Sequence, residues 1–541
     1  AYLGTATDAA SATYNQGGTG ASSRTIENKL QDTISVKDFG AVGDGVTNDT
    51  IAIQAALDHA TSLTGTTTVM LGLNAIYLAT NLIITTGTIL DLNGSKMLQV
   101  ADSGTPLLRN VSRTDTHTED QIYVRNGVLN GNDSAYTVET QNQLISFISV
   151  HHMGISNIIF ENMKSKLGGG NTSIALHITG TSKFYTIDRC SFYRIGTAAV
   201  HGNGIFAQGS YATISNCISD EVYDTPFNFE RMTHGVMTNN IATNAGQGFA
   251  VTLQCENITL SNNVSVNAGV NNFLIDKFSA SGGTLMKNIT LSNNVGRNAG
   301  TDGVGSNFFI HDADQVLLSN NIGDTADDSN FEIQGSTDVI ISGGLATGST
   351  TKMGFLVQDS DDVQISGYDI HDQFSYGVFI WDSTSVLIKG NTIHDTSEHQ
   401  IRIKGGSNIT VDGNSIYDQL VAGQRALSTD TSPDYVIITN NTIYDTNLTP
   451  VQRGVSLDAT ATNCFYKGNT LFNLVSGNWF ADAATNTKGY VKKGVTGSRP
   501  TGLGDQGDDI GQQYLDTTLA AAGKPIWWNG SAWVDGLGAS V

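Results

Sequence analysis

The stretches Ile258–Asn263 and Ile289–Asn294 both read ITLSNN, and Val316–Asn321 reads VLLSNN. The pattern is apolar, any, apolar, polar, Asn or Gly, Asn. It returns as VIISGG at Val339–Gly344, VQISGY from Val363, VLIKGN from Val386, ITVDGN from Ile409, VIITNN from Val436 and CFYKGN from Cys464. Weaker copies start at Ile158, Tyr185, Ala212 and Gly235. From Val316 onward, successive starts differ by 23, 24, 23, 23, 27 and 28 residues. Alternating apolar and polar side chains mark a strand with one face inside. A step of this size holds about three short strands with their turns, too little for a propeller blade, and the i, i+3, i+4 spacing of helical repeats is absent. The reading is an all-β chain folded as a parallel β-helix, its coils stacked at about 4.8 Å.

Stacking turns positions one period apart into spatial neighbours. The closing Asn recurs at Asn240, Asn263, Asn294, Asn321, Asn391, Asn414, Asn441 and Asn469, which predicts a ladder of amides bonded coil to coil. Cys190 and Cys217 fall in the same column and are expected to be buried thiols. With Cys255 and Cys464 far away, no CxxC and no His at ligand spacing, neither a disulfide framework nor a metal site is expected. A second column, Ile370, Ile393, Ile416, Ile443 and Leu471, opens the triplets IHD, IHD, IYD, IYD and LFN. His371–Asp372 and His394–Asp395 suggest catalytic pairs, but a triplet repeated on five coils is better read as rings packing along the solenoid, with Asp serving the turns.

Composition narrows the classes. Gly is abundant at 60 residues and Pro scarce at 6, as tight turns between short strands require. A net charge of −22 argues against nucleic acid as a partner. No apolar run approaches the roughly 20 residues of a membrane span, so membrane insertion is not expected. The opening AYLGTATDAASATYNQGG lacks the basic start and apolar core of a signal peptide and reads as a linker. No motif calls for a cofactor.

The ends differ from the middle. In SVKDFGAVGDGVTNDTIAIQAALDH (Ser35–His59), Asn48 or Asp49 can start a helix whose apolar face is Ile51, Ala52, Ala55, Ala56 and Leu57. Such a helix can cover the open first coil of a solenoid. Periodicity stops near Val475, and Trp527, Trp528 and Trp533 suggest a small β-rich module. The expected organisation is a neck or linker at 1–34, a cap with first coils at 35–100, the β-helix at 101–475 and a C-terminal trimerisation module at 476–541.

The stretch YNQGGTGASSRTIENKLQDTISVKDFGAVGDGVTNDTIAIQAAL (Tyr14–Leu57) resembles the neck and cap of bacteriophage tailspikes with a pectate-lyase-like, right-handed parallel β-helix. QQYLDTTLAAAGKPIWWNGSAWVDGLG (Gln512–Gly538) resembles short C-terminal modules of phage tail proteins. The resemblance implies a homotrimer on the virion tail, assembled in the host cytoplasm and joined to the tail through an N-terminal part not present here. It also implies a partner at the host surface, a capsular polysaccharide or lipopolysaccharide, which such proteins bind and often depolymerise. SVKDFGAVGDG marks the cap in that family and is not a catalytic motif.

Aligning one strand type across coils gives GIFAQ, PFNFE, GFAVT, NFLID, NFFIH, NFEIQ, GFLVQ, GVFIW and QIRIK, ending at Gln208, Glu230, Thr252, Asp276, His311, Gln334, Gln358, Trp381 and Lys404. Second and fourth positions are apolar and point in, so third and fifth point out. The outward face carries acids, aromatics, amides and a basic end, a surface suited to sugars. Glycoside hydrolysis needs two carboxyls flanking the bond. Glu230 and Asp276 share a column two coils apart, about 9.6 Å, near the separation of inverting enzymes. Glu332 is the third candidate, two coils beyond Asp276 and one column over. Two insertions, KFSASGGTL (Lys277–Leu285) and GRNAGTDGVGSN (Gly296–Asn307), interrupt the period beside these acids, as functional loops do. Phe309, His311, Gln334, Trp381 and Arg402 are candidate glycan contacts. The leading expectation is an endo-glycosidase. The alternatives are a polysaccharide lyase using His311, Arg402 or Lys404 on an acidic glycan, and an adhesin that binds without cutting.

Overall fold

The computed structural model describes residues 11–117, 119–135, 143–163, 173–197, 202–278, 286–447 and 451–475, and thereafter 480–482, 484, 488–489, 492–494, 513–516, 519, 524–529, 531–535 and 539–541. It comprises two compact units, Ala1–Leu274 with Ala280–Thr290 and Ile275–Ser279 with Leu291–Val541. Each is a stack of short parallel strands.

In the N-terminal unit Leu82, Leu108, Ile145, Leu176, Ile205, Phe227 and Phe249 stand in direct parallel register, coil upon coil. All seven are fully buried. The motif column runs Tyr185, Ala212, Gly235, Ile258 as the repeat requires. The copy before it starts at Met153, which pairs with Tyr185. Ile158 therefore sits in the ladder column, not at the start of a copy.

The capping helix is Thr50–Ser62, and its buried residues are Ile53, Ala56, Leu57 and Ala60. This i, i+3, i+4, i+7 stripe replaces the expected face, for Ile51 is 85% exposed and Ala52 and Ala55 are only half-buried. Asp49 precedes the helix without capping it through its side chain. Its carboxylate instead accepts from the Val42 N–H at 2.7 Å and the Gly43 N–H at 3.1 Å. Asn48 Oδ1 accepts from the Thr50 N–H at 3.1 Å.

In the C-terminal unit Phe308, Phe331, Phe355, Val378, Ile401, Leu427, Val455 and Phe480 form the corresponding column. The Phe308, Phe331 and Phe355 rings stack at 4.7 and 4.6 Å. Coil strands continue past Val475: Phe480–Asp482 pairs with Arg453–Leu457, and Lys488–Gly489 with Phe465–Lys467. Apolar alternation fades there before the pairing does. A separate small sheet joins Lys492–Gly494, Gln513–Asp516, Lys524–Trp528 and Trp533–Val534. Ile526 and Trp533 are buried together in it.

The closing Asn pair of the motif has a two-part cause. The first member takes left-handed backbone, φ 56° at Asn239, 55° at Asn262, 62° at Gly390 and 67° at Gly413, a conformation tolerated by Asn and Gly. The second points inward and forms the predicted ladder. Asn414 Nδ2 donates to Asn441 Oδ1 and to the Ile388 carbonyl, each at 2.9 Å, while its N–H donates to the same Oδ1 at 2.9 Å. Asn391 bonds to Asn414, and Asn441 to Asn469, in the same way. Cys217 extends the column, since its N–H donates to Asn240 Oδ1 and its sulfur accepts from the Cys190 N–H. All four cysteines are buried thiols outside any disulfide.

The aromatic column packs as expected. His371, His394, Tyr417, Tyr444 and Phe472 stack at 4.9, 4.7, 5.0 and 5.0 Å. Each His also bonds its own neighbouring Asp through Nδ1 at 2.8 Å.

Candidate functional site

The outward columns are built by the alternation just described. In the C-terminal unit one runs Phe309, Glu332, Leu356, Phe379 and Arg402, and the next runs His311, Gln334, Gln358, Trp381 and Lys404. Asp276 joins the head of the second. Its Oδ1 accepts from His311 Nδ1 at 3.1 Å and from the Phe278 N–H at 2.7 Å. The far side of the imidazole faces Asp312, Nε2 to Oδ1 3.7 Å. The Phe309 ring stands edge-on to it at 5.8 Å. His311 is thus oriented on three sides.

Glu332 occupies a different environment. Burial and then the Asp328 carboxylate push its carboxyl above the usual glutamate range, against a hydrogen bond from Ser306 and the pull of Lys352 and His311. Ser306 Oγ donates to Glu332 Oε2 at 2.8 Å, and Lys352 is committed to Asp328 by an ion pair. Asp328 is 4% exposed. A carboxyl desolvated beside a second acid favours its neutral form. The unit therefore places one acid held toward protonation and one in the hydrogen-bond reach of an imidazole on the same outer face.

Ser306, Asp328 and Lys352 were not among the residues singled out from the sequence. All three lie in turns ahead of the aligned strands, where periodicity carries no information. The interrupting segment Gly296–Asn307 does act on the site, through Ser306. Most of Lys277–Leu285, at 279–285, lies outside the described residues.

Farther along, Met353, Leu356, Tyr376 and Phe379 form a small buried cluster on which Trp381 packs. The Lys404 ammonium sits over the Trp381 indole at 4.4 Å. The Arg402 guanidinium lies over Tyr376 and Phe379, 5.1 and 5.5 Å from their centroids, and pairs with Asp430 at 2.6 Å. Gln334 lies between His311 and Gln358, half-buried.

Glu230 belongs to the N-terminal unit. It accepts from Gln208 Nε2 at 2.9 Å and pairs with Arg231. Its register neighbour is Thr252. Glu230 and Asp276 fall in different units, and each is placed by its own surroundings. Among the described residues no group of three or more His, Cys, Asp or Glu side chains is set to hold a metal ion.

A family model described as "Right handed beta helix region" matches residues 346–489. A search of curated proteins finds no match. Among solved structures, the tailspike protein of E. coli bacteriophage HK620 aligns with a TM-score of 0.55 at 12% identity, covering 85% of each chain; that structure is a glutamate-to-glutamine variant in complex with pentasaccharide. An aspartate-to-asparagine variant of the same tailspike, also with pentasaccharide, aligns at 0.54 and 11% identity over 84% of each chain. The A-module of the Azotobacter vinelandii mannuronan C-5 epimerase AlgE6 aligns at 0.38 and 18% identity, over 81% of this chain and 99% of that one. At these identities the likeness to the tailspike establishes the fold: this chain is a right-handed parallel β-helix.

Proposed function

We propose that this protein is a phage tailspike that binds a bacterial surface polysaccharide, capsule or O-antigen, and cleaves it by glycosidic hydrolysis. The observation that carries the reading is Glu332, whose carboxyl burial and Asp328 hold toward the protonated form on the outer face that also holds Asp276 and His311. The HK620 tailspike structures, solved with oligosaccharide on Glu and Asp variants, support the same direction.

In the proposed reaction Glu332 gives its proton to the glycosidic oxygen as the bond to the anomeric carbon breaks. Asp276 takes a proton from the water that bonds to that carbon from the opposite side. His311, fixed between Asp276 and Asp312, positions the base. Two coils separate the acids along the axis, about 9.6 Å, and one outward column separates them across the face, so both side chains must reach toward the bond to bring the carboxyls into the roughly 6.5–9.5 Å range of an inverting pair. Glu332 takes the acid role in preference to Glu230, which pairs with Arg231 and accepts a hydrogen bond from Gln208. Phe309, Gln334 and Trp381 offer contacts to the sugar chain, and Arg402 holds the aromatic shelf beneath it. The proposal includes a homotrimer carried on the virion tail, which light scattering of the purified chain checks.

The test is incubation with capsules and lipopolysaccharides of candidate hosts, followed by mass spectrometry of released oligosaccharides. Products that gain one water per cut, and that vanish with Glu332→Gln or Asp276→Asn, are expected. Unsaturated products would replace the mechanism with a lyase, and unchanged polymer size in every host with bound glycan would make the protein an adhesin.

A further inference from the structure

Arg425 and Arg453 are register partners on adjoining coils of the C-terminal unit. Arg425 Nη1 and Arg453 Nε are buried without a hydrogen-bond partner, and among the described residues neither guanidinium forms an ion pair. In a chain with 50 acidic and 28 basic side chains, two like charges stacked one coil apart with no acid beside them is an unexpected arrangement. The acids that act on the neighbouring His399 are already engaged: Asp430 by Arg402, and Glu398 by the Tyr376 hydroxyl. On the preceding coil His399 Nδ1 accepts the Arg425 N–H at 3.1 Å, which leaves its Nε2 as the donor of a neutral ring. Burial, Arg402 and Arg425 lower this imidazole to about 4. Tyr376, whose hydroxyl bonds Arg402, packs toward the His399 ring at 6.2 Å. The cluster therefore adjoins the Phe379–Arg402 end of the outer face.

We propose that Arg425 and Arg453, with His399 Nε2–H, form a subsite for an anionic substituent on the glycan, a sugar carboxylate or a sugar phosphate. This rests on the reading of that face as a polysaccharide site and narrows the substrate class to acidic polymers. Guanidiniums about 4.8 Å apart along the stack can each donate to a different oxygen of one carboxylate or phosphate. A bound anion supplies the charge that the protein leaves unmatched.

The experiment uses the full chain and small probes that cannot be cleaved: sodium glucuronate, a sugar phosphate, and glucose, each against sodium chloride at equal ionic strength. Saturable binding by calorimetry is expected for at least one anionic sugar, with glucose and chloride silent; which anion binds separates carboxylate from phosphate. The double variant Arg425→Gln/Arg453→Gln is expected to weaken binding by at least about tenfold, and Arg425→Lys/Arg453→Lys to restore part of it. Without ligand, the double Gln variant is expected to melt at a higher temperature, because it relieves like-charge repulsion; a purely structural pair would melt lower. Binding that survives in the double Gln variant, or equal responses to glucose and glucuronate, overturns the subsite. Glu332→Gln and Asp276→Asn keep the Arg-dependent binding, so loss of hydrolysis and loss of the subsite are read separately.

Discussion

The interior amide ladder and the outer acid–arginine face of the C-terminal unit run along the same stacked coils, and they handle polar atoms in opposite ways. Inside, Asn414 uses both Nδ2 protons and its N–H, and its Oδ1 accepts two bonds from Asn391. The same solution returns at Asn441. Outside, Glu332 is desolvated beside Asp328, and Arg425 and Arg453 face one another without an acid. Among the described residues of the C-terminal unit neither arrangement repeats. In a solenoid, whatever recurs on every coil answers the needs of stacking, and whatever occurs once and costs stability marks binding or chemistry.

The largest effect expected from this contrast is on rate. Glu332→Gln keeps the shape and the Ser306 contact but has no proton to give. Turnover of the host glycan should fall by about 10²–10⁴-fold, roughly 3–5 kcal/mol of barrier, with glycan affinity kept. Asp276→Asn should do the same. A Glu332→Gln variant with full turnover would move the acid elsewhere on the face.

Asn414→Ala tests the other side. It orphans the Asn391 N–H and Nδ2–H and removes two further bonds. Buried donors left unmet cost about 1–3 kcal/mol each, so denaturant melts should show a loss of roughly 3 kcal/mol or more with turnover unchanged below the melt. Loss of turnover in the folded variant would show that ladder and face are not separable.

A smaller effect is expected from pH. A carboxyl whose folded value is raised favours the fold when protonated. Its contribution is fully present below the unfolded value and is lost as pH rises through the folded one. Glu332→Gln should therefore melt higher than the parent chain at neutral pH, and the gap should close on acidification. The alkaline limb of kcat/KM should lie above the usual glutamate range and should disappear in the variant. A gap that widens in acid would contradict the assignment of Glu332 as the desolvated acid.

Much of this contrast was legible in the amino-acid order, because alternation alone decides which side chains point in. The pairs Phe309/His311, Glu332/Gln334 and Phe379/Trp381 come out on the face predicted for them, and the Asn column forms its ladder. Long-range features set by turns were not legible. Ser306, Asp328 and Lys352, which determine the state of Glu332, enter from segments without periodicity. The capping helix carries apolar residues around more than one side, so only the coil it covers decides that Ile53 is buried and Ile51 exposed. The copy ahead of Tyr185 starts at Met153 and puts Ile158 where an Asn would be, so the pattern there is matched by position and not by residue type. Past Val475 the strands stay paired to Gly489 after their apolar residues thin out.

The smallest expected effect concerns the triplet column, where the two classes of feature come closest to being confused. His394 has the look of a catalytic residue: Nδ1 contacts Asp395 at 2.8 Å and Nε2 faces Asp369 at 3.3 Å. Its ring also lies between His371 and Tyr417, 4.9 and 4.7 Å away, and Tyr444 and Phe472 continue the stack with no imidazole at all. Side chains that interchange along a column while the ring contact persists share the contact, not the chemistry. Truncation in His394→Ala should therefore cost about 0.5–1.5 kcal/mol, as the loss of stacked rings does, and His394→Phe should recover most of it, with turnover unchanged in both. A fall in turnover in His394→Phe, where the stack is intact, would transfer the chemistry from the unique acids to the repeated column.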